Sequence, residues 1–234
     1  CRSSSAGREI MAERYRITYT KTDALRYVSH LDLQKIWIRT LLRAGIQLVY
    51  TEGFHPAPKI SPGWPLALGW AGYGEMIDLW FDISGWTPSS AAQTETELIE
   101  RVNRNSPPGL KVTELKQIPL YDPALTTVIE SAVYYAEFLS PVPPNQLNEQ
   151  MAALLSRPAI ERKRRNKLYD LRPLIEDYRV RSEAGNSTVL EIRMAARDSA
   201  MGRPDEVMDE LGYDINTIRF SRVKLLLKQN QSLF

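Results

Sequence analysis

Residues 15–52, YRITYTKTDALRYVSHLDLQKIWIRTLLRAGIQLVYTE, contain the pattern from which the architecture follows. The segment opens with an apolar residue at every second position, which predicts a half-buried strand. A helix follows, because Ser29 and Asp32 form a capping pattern and Gly45 supplies a stop. Residues 46–52, IQLVYTE, predict a second strand. The segment is therefore a strand–helix–strand unit.

The next part of the chain completes this unit after an unusually long loop. Residues 52–69, EGFHPAPKISPGWPLALG, hold four prolines and three glycines, a composition that neither a helix nor a central strand tolerates. The loop is predicted over 52–74, and the elements after it are a strand over 75–83, a helix over 88–105 and a strand over 110–118. The order βαββαβ is that of a ferredoxin-like domain. The loop exceeds what a hairpin between the second and third strands needs, which favours a shaped binding loop.

The second half of the chain partly repeats this order of elements. Residues 119–127 have the turn composition of a linker, and 128–228 predict a second ferredoxin-like domain that contains a basic hairpin over 159–182. We therefore expect an α+β protein of two ferredoxin-like units, each an antiparallel sheet with its helices on one face. Residues 1–14 are expected to be a disordered lead or tag remnant, and 229–234 a tail.

Composition limits the classes of function. The single cysteine, Cys1, excludes an internal disulfide framework and a cysteine metal cluster within this sequence. The 30 basic and 28 acidic residues nearly balance, so a site for a polyanion must be local. No apolar run approaches membrane-spanning length and the first ten residues lack the apolar centre of a signal peptide. We expect a cytoplasmic protein without membrane association.

Cations and polar groups collect around the predicted start of the first helix, where free backbone N–H groups favour anions. Lys21 and Arg26 precede the helix, and Lys59 joins them if the long loop folds back. Their alternative role is that of ordinary solvated turn residues. The candidate ligand-binding residues are Lys21, Arg26, His30, Asp32, His55, Lys59 and Ser61.

A second basic cluster lies in residues 161–167, ERKRRNK. On a hairpin it would form a cationic ribbon suited to phosphates rather than to base-specific contacts. A solvated hairpin tip is the alternative, since the adjacent residues restore negative charge. The candidate nucleic-acid-binding residues are Arg162, Lys163, Arg164, Arg165 and Lys167.

Evidence for catalysis is limited to the two histidines. His30 and His55 are candidates for acid–base catalysis, but they lie on different elements and in no metal-binding spacing, so no metal or cofactor is expected. Glu75 and Asp78 are predicted on opposite faces of one strand and make a poor catalytic pair. The glycines of GWAGYG, 69–74, precede a strand, which is the wrong context for a dinucleotide fingerprint.

Several longer motifs resemble one bacterial family. Residues 25–69, from LRYVSHLD to FHPAPKISPGWPLALG, followed by GEMIDL, DLRPLI and GRPDEVMDELG, resemble the radical SAM-linked protein family over about Arg16 to Val223. In that family the domain occurs alone or after a cobalamin-binding radical S-adenosylmethionine enzyme. The resemblance implies no established reaction, and if the two proteins cooperate it implies an accessory role for this chain. The order of elements is also similar to that of the RNA-processing endonucleases of CRISPR systems, as an analogy of architecture.

Three functions follow as hypotheses. The first is an accessory module that binds RNA or another phosphate-bearing ligand and assists a radical-SAM protein. The second is an RNA-processing enzyme with His30 or His55 as acid or base. The third is a protein-docking domain that uses Trp64, Trp70 and Trp86 around the long loop as anchors.

Overall fold

A computed structural model describes residues 11–84, 91–183, 187–198 and 200–228. The helices are α1 (His30–Arg43), α2 (Ala91–Asn105), α3 (Leu125–Val128), α4 (Pro144–Leu155) and α5 (Pro204–Glu210). The strands are β1 (Ala12–Lys21), β2 (Ile60–Pro62), β3 (Ala71–Asp82), β4 (Leu110–Ile118), β5 (Ile129–Phe138), β6 (Glu161–Arg164), β7 (Lys167–Asp170), β8 (Ile175–Glu183), β9 (Ser187–Arg197), β10 (Ala200–Met201) and β11 (Ile218–Leu227).

Both halves have the strand order of a ferredoxin-like unit. In the first unit β1 lies between β3 and β4, and in the second β5 lies between β9 and β11, with β8 on the outer edge of β9. All of these pairs are antiparallel. The predicted α+β class is confirmed.

The two units share one sheet. β11 pairs with β3 in parallel, with Ser221 opposite Ala71 and Arg222 opposite Gly72, so the described residues form a main sheet of nine strands. Gly74 permits this approach, because a Cβ there would lie 2.5 Å from the Val223 carbonyl oxygen. The sequence predicts two sheets, and it contains no indication of this junction.

Each unit keeps its own hydrophobic core under its own helices. Trp37 of α1 and Leu98 of α2 pack with Ile17 of β1 in the first unit. Met151 of α4 and Met208 of α5 belong to the core of the second unit, together with β5, β9 and β11. Because both helices of a unit share one core, both cover the same face of its sheet.

Some predicted boundaries change. β1 begins at Ala12, inside the expected lead 1–14, whereas 1–10 and 229–234 lie outside the described residues. The predicted strand 46–52 makes only isolated bridges, including Leu48 to Phe81, because β2 occupies the adjoining edge of β3.

The predicted hairpin 159–182 also changes, since it divides into two structures. β6 and β7 form a separate two-stranded ribbon, while β8 joins the main sheet. A short 3-10 turn, Arg172–Leu174, separates the ribbon from β8. The apolar side chains of β8 pack on the second core. This packing explains why β8 joins the main sheet and not the ribbon.

No helix in the described part of the chain is long and apolar enough to cross a membrane. The cytoplasmic location stays a prediction.

Candidate functional site

A buried ion pair lies where the two units meet. Arg222 of β11 donates from Nε to Glu75 Oε1 at 2.8 Å and from Nη2 to Glu75 Oε2 at 2.5 Å. Its Nη2 also donates to the Trp64 carbonyl oxygen at 2.6 Å, which ties the long loop to the pair. Only 1% of the Arg222 side chain and 5% of the Glu75 side chain are exposed. Burial opposes the charge on Arg222, but the Glu75 carboxylate outweighs it and raises the pKa of the guanidinium.

Lys21 lies beside this pair at the end of β1. Only 2% of the residue is exposed, yet its ammonium has no hydrogen-bond or salt-bridge partner among the described residues. Burial lowers the pKa of Lys21, and the charge of Arg222 adds to that effect while Glu75 opposes it. Glu75 is the carboxylate whose charge acts on this ammonium, so the two cations Lys21 and Arg222 share one buried anion in the site.

His30, the first residue of α1, faces the same space. Burial lowers the pKa of the imidazole from its ordinary 6.5, and the charge of Lys21 lowers it further, so His30 is neutral at pH 7. Burial and the Glu75 carboxylate raise the pKa of Tyr19, which therefore keeps its hydroxyl proton.

These side chains surround a cavity of about 10 Å³, which is room for about one water or one ligand oxygen. Residues 62–64 and Leu66 of the long loop contribute part of its lining. The lining residues are Tyr19, Lys21, His30, Leu33, Pro62, Gly63, Trp64, Leu66, Glu75 and Met76. We call this group the junction site.

The other predicted ligand residues lie outside the junction site. Arg26 donates from Nε to the Asp23 carbonyl oxygen at 3.3 Å and stacks over the Tyr27 ring. Ser29 caps α1, since its hydroxyl accepts from the Asp32 N–H at 3.1 Å, and the Asp32 carboxylate accepts from Lys35 Nζ at 2.9 Å. The hydrogen bonds from Lys35 and Ser29 lower the pKa of the exposed Asp32 carboxyl.

The remaining three belong to the long loop and its return strand. His55 is exposed in the loop and shares no contact with His30 among the described residues, so the two imidazoles occupy separate environments. The Lys59 ammonium lies 4.8 Å from the centre of the Trp80 ring. Ser61 of β2 is opposite Asp78 of β3.

A second buried ionic cluster lies on the other face of the first sheet. Asp78, which is fully buried, accepts from Arg14 at 2.6 Å and from Arg16 at 2.8 Å. Arg14 also stacks on Trp80, so this buried tryptophan lies close to two cations, Arg14 and Lys59. Glu75 and Asp78 serve separate ion pairs on opposite faces, as predicted.

The basic ribbon formed by β6 and β7 divides into two sets of cations. Arg162 bonds Asp209 and Glu210, and Arg164 bonds Glu206, so these two side chains hold the ribbon against α5. Burial and a hydrogen bond to Glu206 raise the pKa of Tyr169 on the same side to about 12. The other predicted members, all exposed and without a salt-bridge partner in the described ranges, are Lys163, Arg165 and Lys167.

The tryptophans around the loop contribute mainly to packing. Trp70 stacks on Phe220 with ring centres 4.8 Å apart, and Trp64 packs against the second core. Trp86 lies outside the described residues. In the described part of the chain, no group of three or more His, Cys, Asp or Glu side chains could hold a metal ion.

Sequence reasoning finds Lys21 and His30 but misses Glu75 and Arg222 as parts of the site. The glycines of GWAGYG, residues 69–74, are the sequence feature that could have indicated the buried Glu75. A Cβ at Gly72 would lie 2.5 Å from the Glu75 side chain, so this glycine leaves room for the buried carboxylate.

Comparison with known families matches residues 14–204 to a model described as "Uncharacterized protein conserved in bacteria (DUF2344)". The chain belongs to this bacterial family. The match spans most of the chain, and it carries no link to radical S-adenosylmethionine enzymes. No curated protein matches the chain.

Two solved structures are similar to this family member at low identity. One is a chain from the structure of an H/ACA ribonucleoprotein bound to a substrate RNA containing 2'-deoxyuridine, with 10% identity and a TM-score of 0.45 over 94% of this chain. This protein spans only 50% of that chain. The other is a putative glycine cleavage system transcriptional repressor, with 12% identity and a TM-score of 0.25 over 93% of this chain and 99% of that chain. At these TM-scores neither likeness supports a functional inference.

Proposed function

We propose that this protein binds a phosphate-bearing ligand, with RNA as the leading candidate, and that the junction site receives one phosphate. The observation that carries the proposal is Lys21, a residue 2% exposed that lines the cavity and whose ammonium has no hydrogen-bond or salt-bridge partner among the described residues. A phosphate oxygen would satisfy that ammonium and remove the cost of leaving it unpaired.

The net charge of the side chains around the cavity favours an anionic ligand over a cationic one. Arg222 and Glu75 compensate each other, His30 is neutral at pH 7, and Lys21 leaves one positive charge in excess. The N-terminus of α1 adds its partial positive charge, since His30 is the first residue of that helix. The cavity admits only an oxygen, so the rest of the ligand would lie outside it.

RNA would bring further phosphates into contact with the exposed cations of the ribbon. Lys163, Arg165 and Lys167 are exposed and have no salt-bridge partner among the described residues, so they remain available for solvent or ligand. Such contacts supply affinity without reading sequence.

A mobility-shift titration against tRNA and rRNA fragments at low and moderate salt tests the proposal. We expect Lys21→Met to weaken binding about tenfold and to lower the salt slope by about 0.7, the value for one lost phosphate contact on a single strand. Lys111→Met, an exposed lysine on β4, is the matched control and should bind like the wild type. Absence of binding at low salt, where phosphate contacts are strongest, would contradict the proposal.

A second candidate function is acid–base catalysis on RNA, and the lowered pKa of His30 favours it. A neutral imidazole beside a buried lysine and a carboxylate can accept a proton at pH 7. Chelator-treated protein would be assayed for RNA cleavage, with His30→Asn expected to abolish it and His55→Asn to leave it unchanged. Equal activity in both variants would exclude His30 as the base.

The accessory role beside a radical-SAM protein rests on the sequence resemblance alone. Affinity purification of the tagged chain from its native cells, with identification of both bound RNA and bound proteins, tests it. Recovery of a radical-SAM protein above the level seen with an unrelated tagged protein would support this role, and recovery of RNA alone would contradict it.

A further inference from the structure

A hollow of about 470 Å³ opens on the side of the second sheet that faces away from its helices. Tyr135 of β5 lines it, and its neighbours Tyr134 and Ala136 are buried in the core, so Tyr135 points to the opposite face. Tyr73 of β3 contributes a second ring from the first unit. We call this space the tyrosine hollow. Its volume is within the range of small-ligand sites.

Tyr73 is the least constrained of these rings. It is 53% exposed, and among the described residues its ring and hydroxyl have no aromatic or hydrogen-bond partner. Tyr135 is half-buried, with the Arg181 guanidinium 5.9 Å from its ring centre. A half-exposed tyrosine that is fixed on a strand offers a flat face for stacking at low conformational cost.

Charged side chains of both signs surround the two tyrosine rings. Glu137 accepts from Arg219 at 3.1 Å, and Asp23 lies on the facing connection between β1 and α1. Arg26 bonds only a main-chain oxygen and the Tyr27 hydroxyl, so no carboxylate among the described residues neutralises it. Arg26 also lines an adjoining hollow of about 540 Å³ with Tyr27 and Asn216.

We propose that the tyrosine hollow binds one nucleotide, with its base stacked on Tyr73 and its phosphate at Arg26. The carboxylates of Asp23 and Glu137 suit a base that carries an exocyclic amino group, because such a group donates hydrogen bonds. Aromatic rings beside an unpaired arginine are the combination with which single-stranded nucleic acids are bound.

The hollow extends the proposed phosphate-binding function but does not depend on the junction site. Its residues are separate from Lys21 and His30, so each site can be removed without the other. The nucleotide could be free or part of an RNA strand, and the experiment distinguishes these sources.

The test measures binding of AMP, CMP, GMP and UMP to the full chain by saturation-transfer NMR, followed by titration. We expect Tyr73→Ala to weaken binding at least about fivefold and Tyr73→Phe to retain it, since stacking needs the ring and not the hydroxyl. Tyr121→Ala, which removes an 89% exposed tyrosine from the linker, is the matched control. Circular dichroism checks that each variant is folded.

Arg26→Gln adds a second readout. It should reduce the preference for a nucleotide over its nucleoside and leave nucleoside binding unchanged. Absence of binding by all four nucleotides, or wild-type binding by Tyr73→Ala, overturns the proposal. If RNA also binds and Tyr73→Ala weakens it equally, the source is a strand. If free nucleotides bind and RNA does not, the hollow is a mononucleotide site and the RNA proposal fails by itself.

Discussion

At the scale of single residues, Arg222 connects the parts of the junction site. It holds Glu75 with two hydrogen bonds and the long loop with a third. Replacing buried charged partners singly is far more damaging than replacing both, because one charge then stays buried without compensation.

We expect Arg222→Met to lower the free energy of unfolding by about 3–5 kcal/mol. The double variant Arg222→Met with Glu75→Leu should recover most of that loss. Arg219→Met is a matched control on the same strand, since its ion pair with Glu137 is exposed and should contribute less than about 1 kcal/mol. Chemical denaturation measures all three. A double variant as unstable as the single one would show that the uncompensated charge is not the cause.

His30 should make stability depend on pH. Its pKa is lower in the folded protein than the ordinary 6.5, because of burial and the charge of Lys21. The unfolded chain therefore binds the proton more readily, so the contribution of neutral His30 is fully present above pH 6.5 and is lost as pH falls through the folded pKa. Glu75 opposes the effect and Arg222 strengthens it.

We expect the melting temperature to fall less steeply between pH 7 and pH 5 in His30→Asn than in the wild type. His55→Asn, at an exposed position in the loop, should follow the wild-type profile. Calorimetry over this pH range measures the difference, and parallel profiles for His30→Asn and the wild type would contradict it.

At the scale of elements, the contact between β3 and β11 depends on the absence of a side chain. Gly74→Ala would place a methyl group 2.5 Å from the Val223 carbonyl oxygen, and neither backbone can move freely inside a sheet. We expect a loss of about 1–3 kcal/mol, the usual cost of overpacking. Gly63→Ala is a milder comparison, because its nearest contact is 3.2 Å. Denaturation curves in which both variants match the wild type would show that the two strands separate easily.

The sequence predicts the individual elements better than their associations. β4 matches its predicted bounds, because it has an alternating pattern and clear turn residues on both sides. The edge formed by residues 46–52 and β2 was not predictable, since two short segments compete for the same side of β3.

The candidate site shows the same limit. Lys21 and His30 are recognisable because both lie next to a helix start, which is a local feature of the sequence. Glu75 and Arg222 are 147 residues apart, and only the parallel pairing of their strands brings them together.

At the scale of the whole molecule, two cores are connected through one sheet. The β3–β11 pairing and the buried Arg222–Glu75 pair both cross between the units, so neither unit can unfold without losing contacts of the other. Cooperative unfolding is the expected consequence.

Hydrogen exchange of the native protein tests this cooperativity. We expect the slowest amides of β1, in the first unit, and of β5, in the second, to exchange with the same opening free energy. Arg222→Met weakens the connection between the two units, so the opening free energies of the β1 and β5 amides should differ in this variant. Different values in the wild type would show that the units unfold independently.

The pairing of Arg222 with Glu75 also has a consequence for synthesis on the ribosome. Glu75 emerges early, whereas its partner Arg222 lies in β11, 147 residues later in the chain. A nascent chain that has already formed the first unit therefore lacks the two hydrogen bonds from Arg222 to the Glu75 carboxylate until residue 222 has been synthesised. Any product truncated before that point would keep this defect permanently, which would mark incomplete chains for chaperones and proteases.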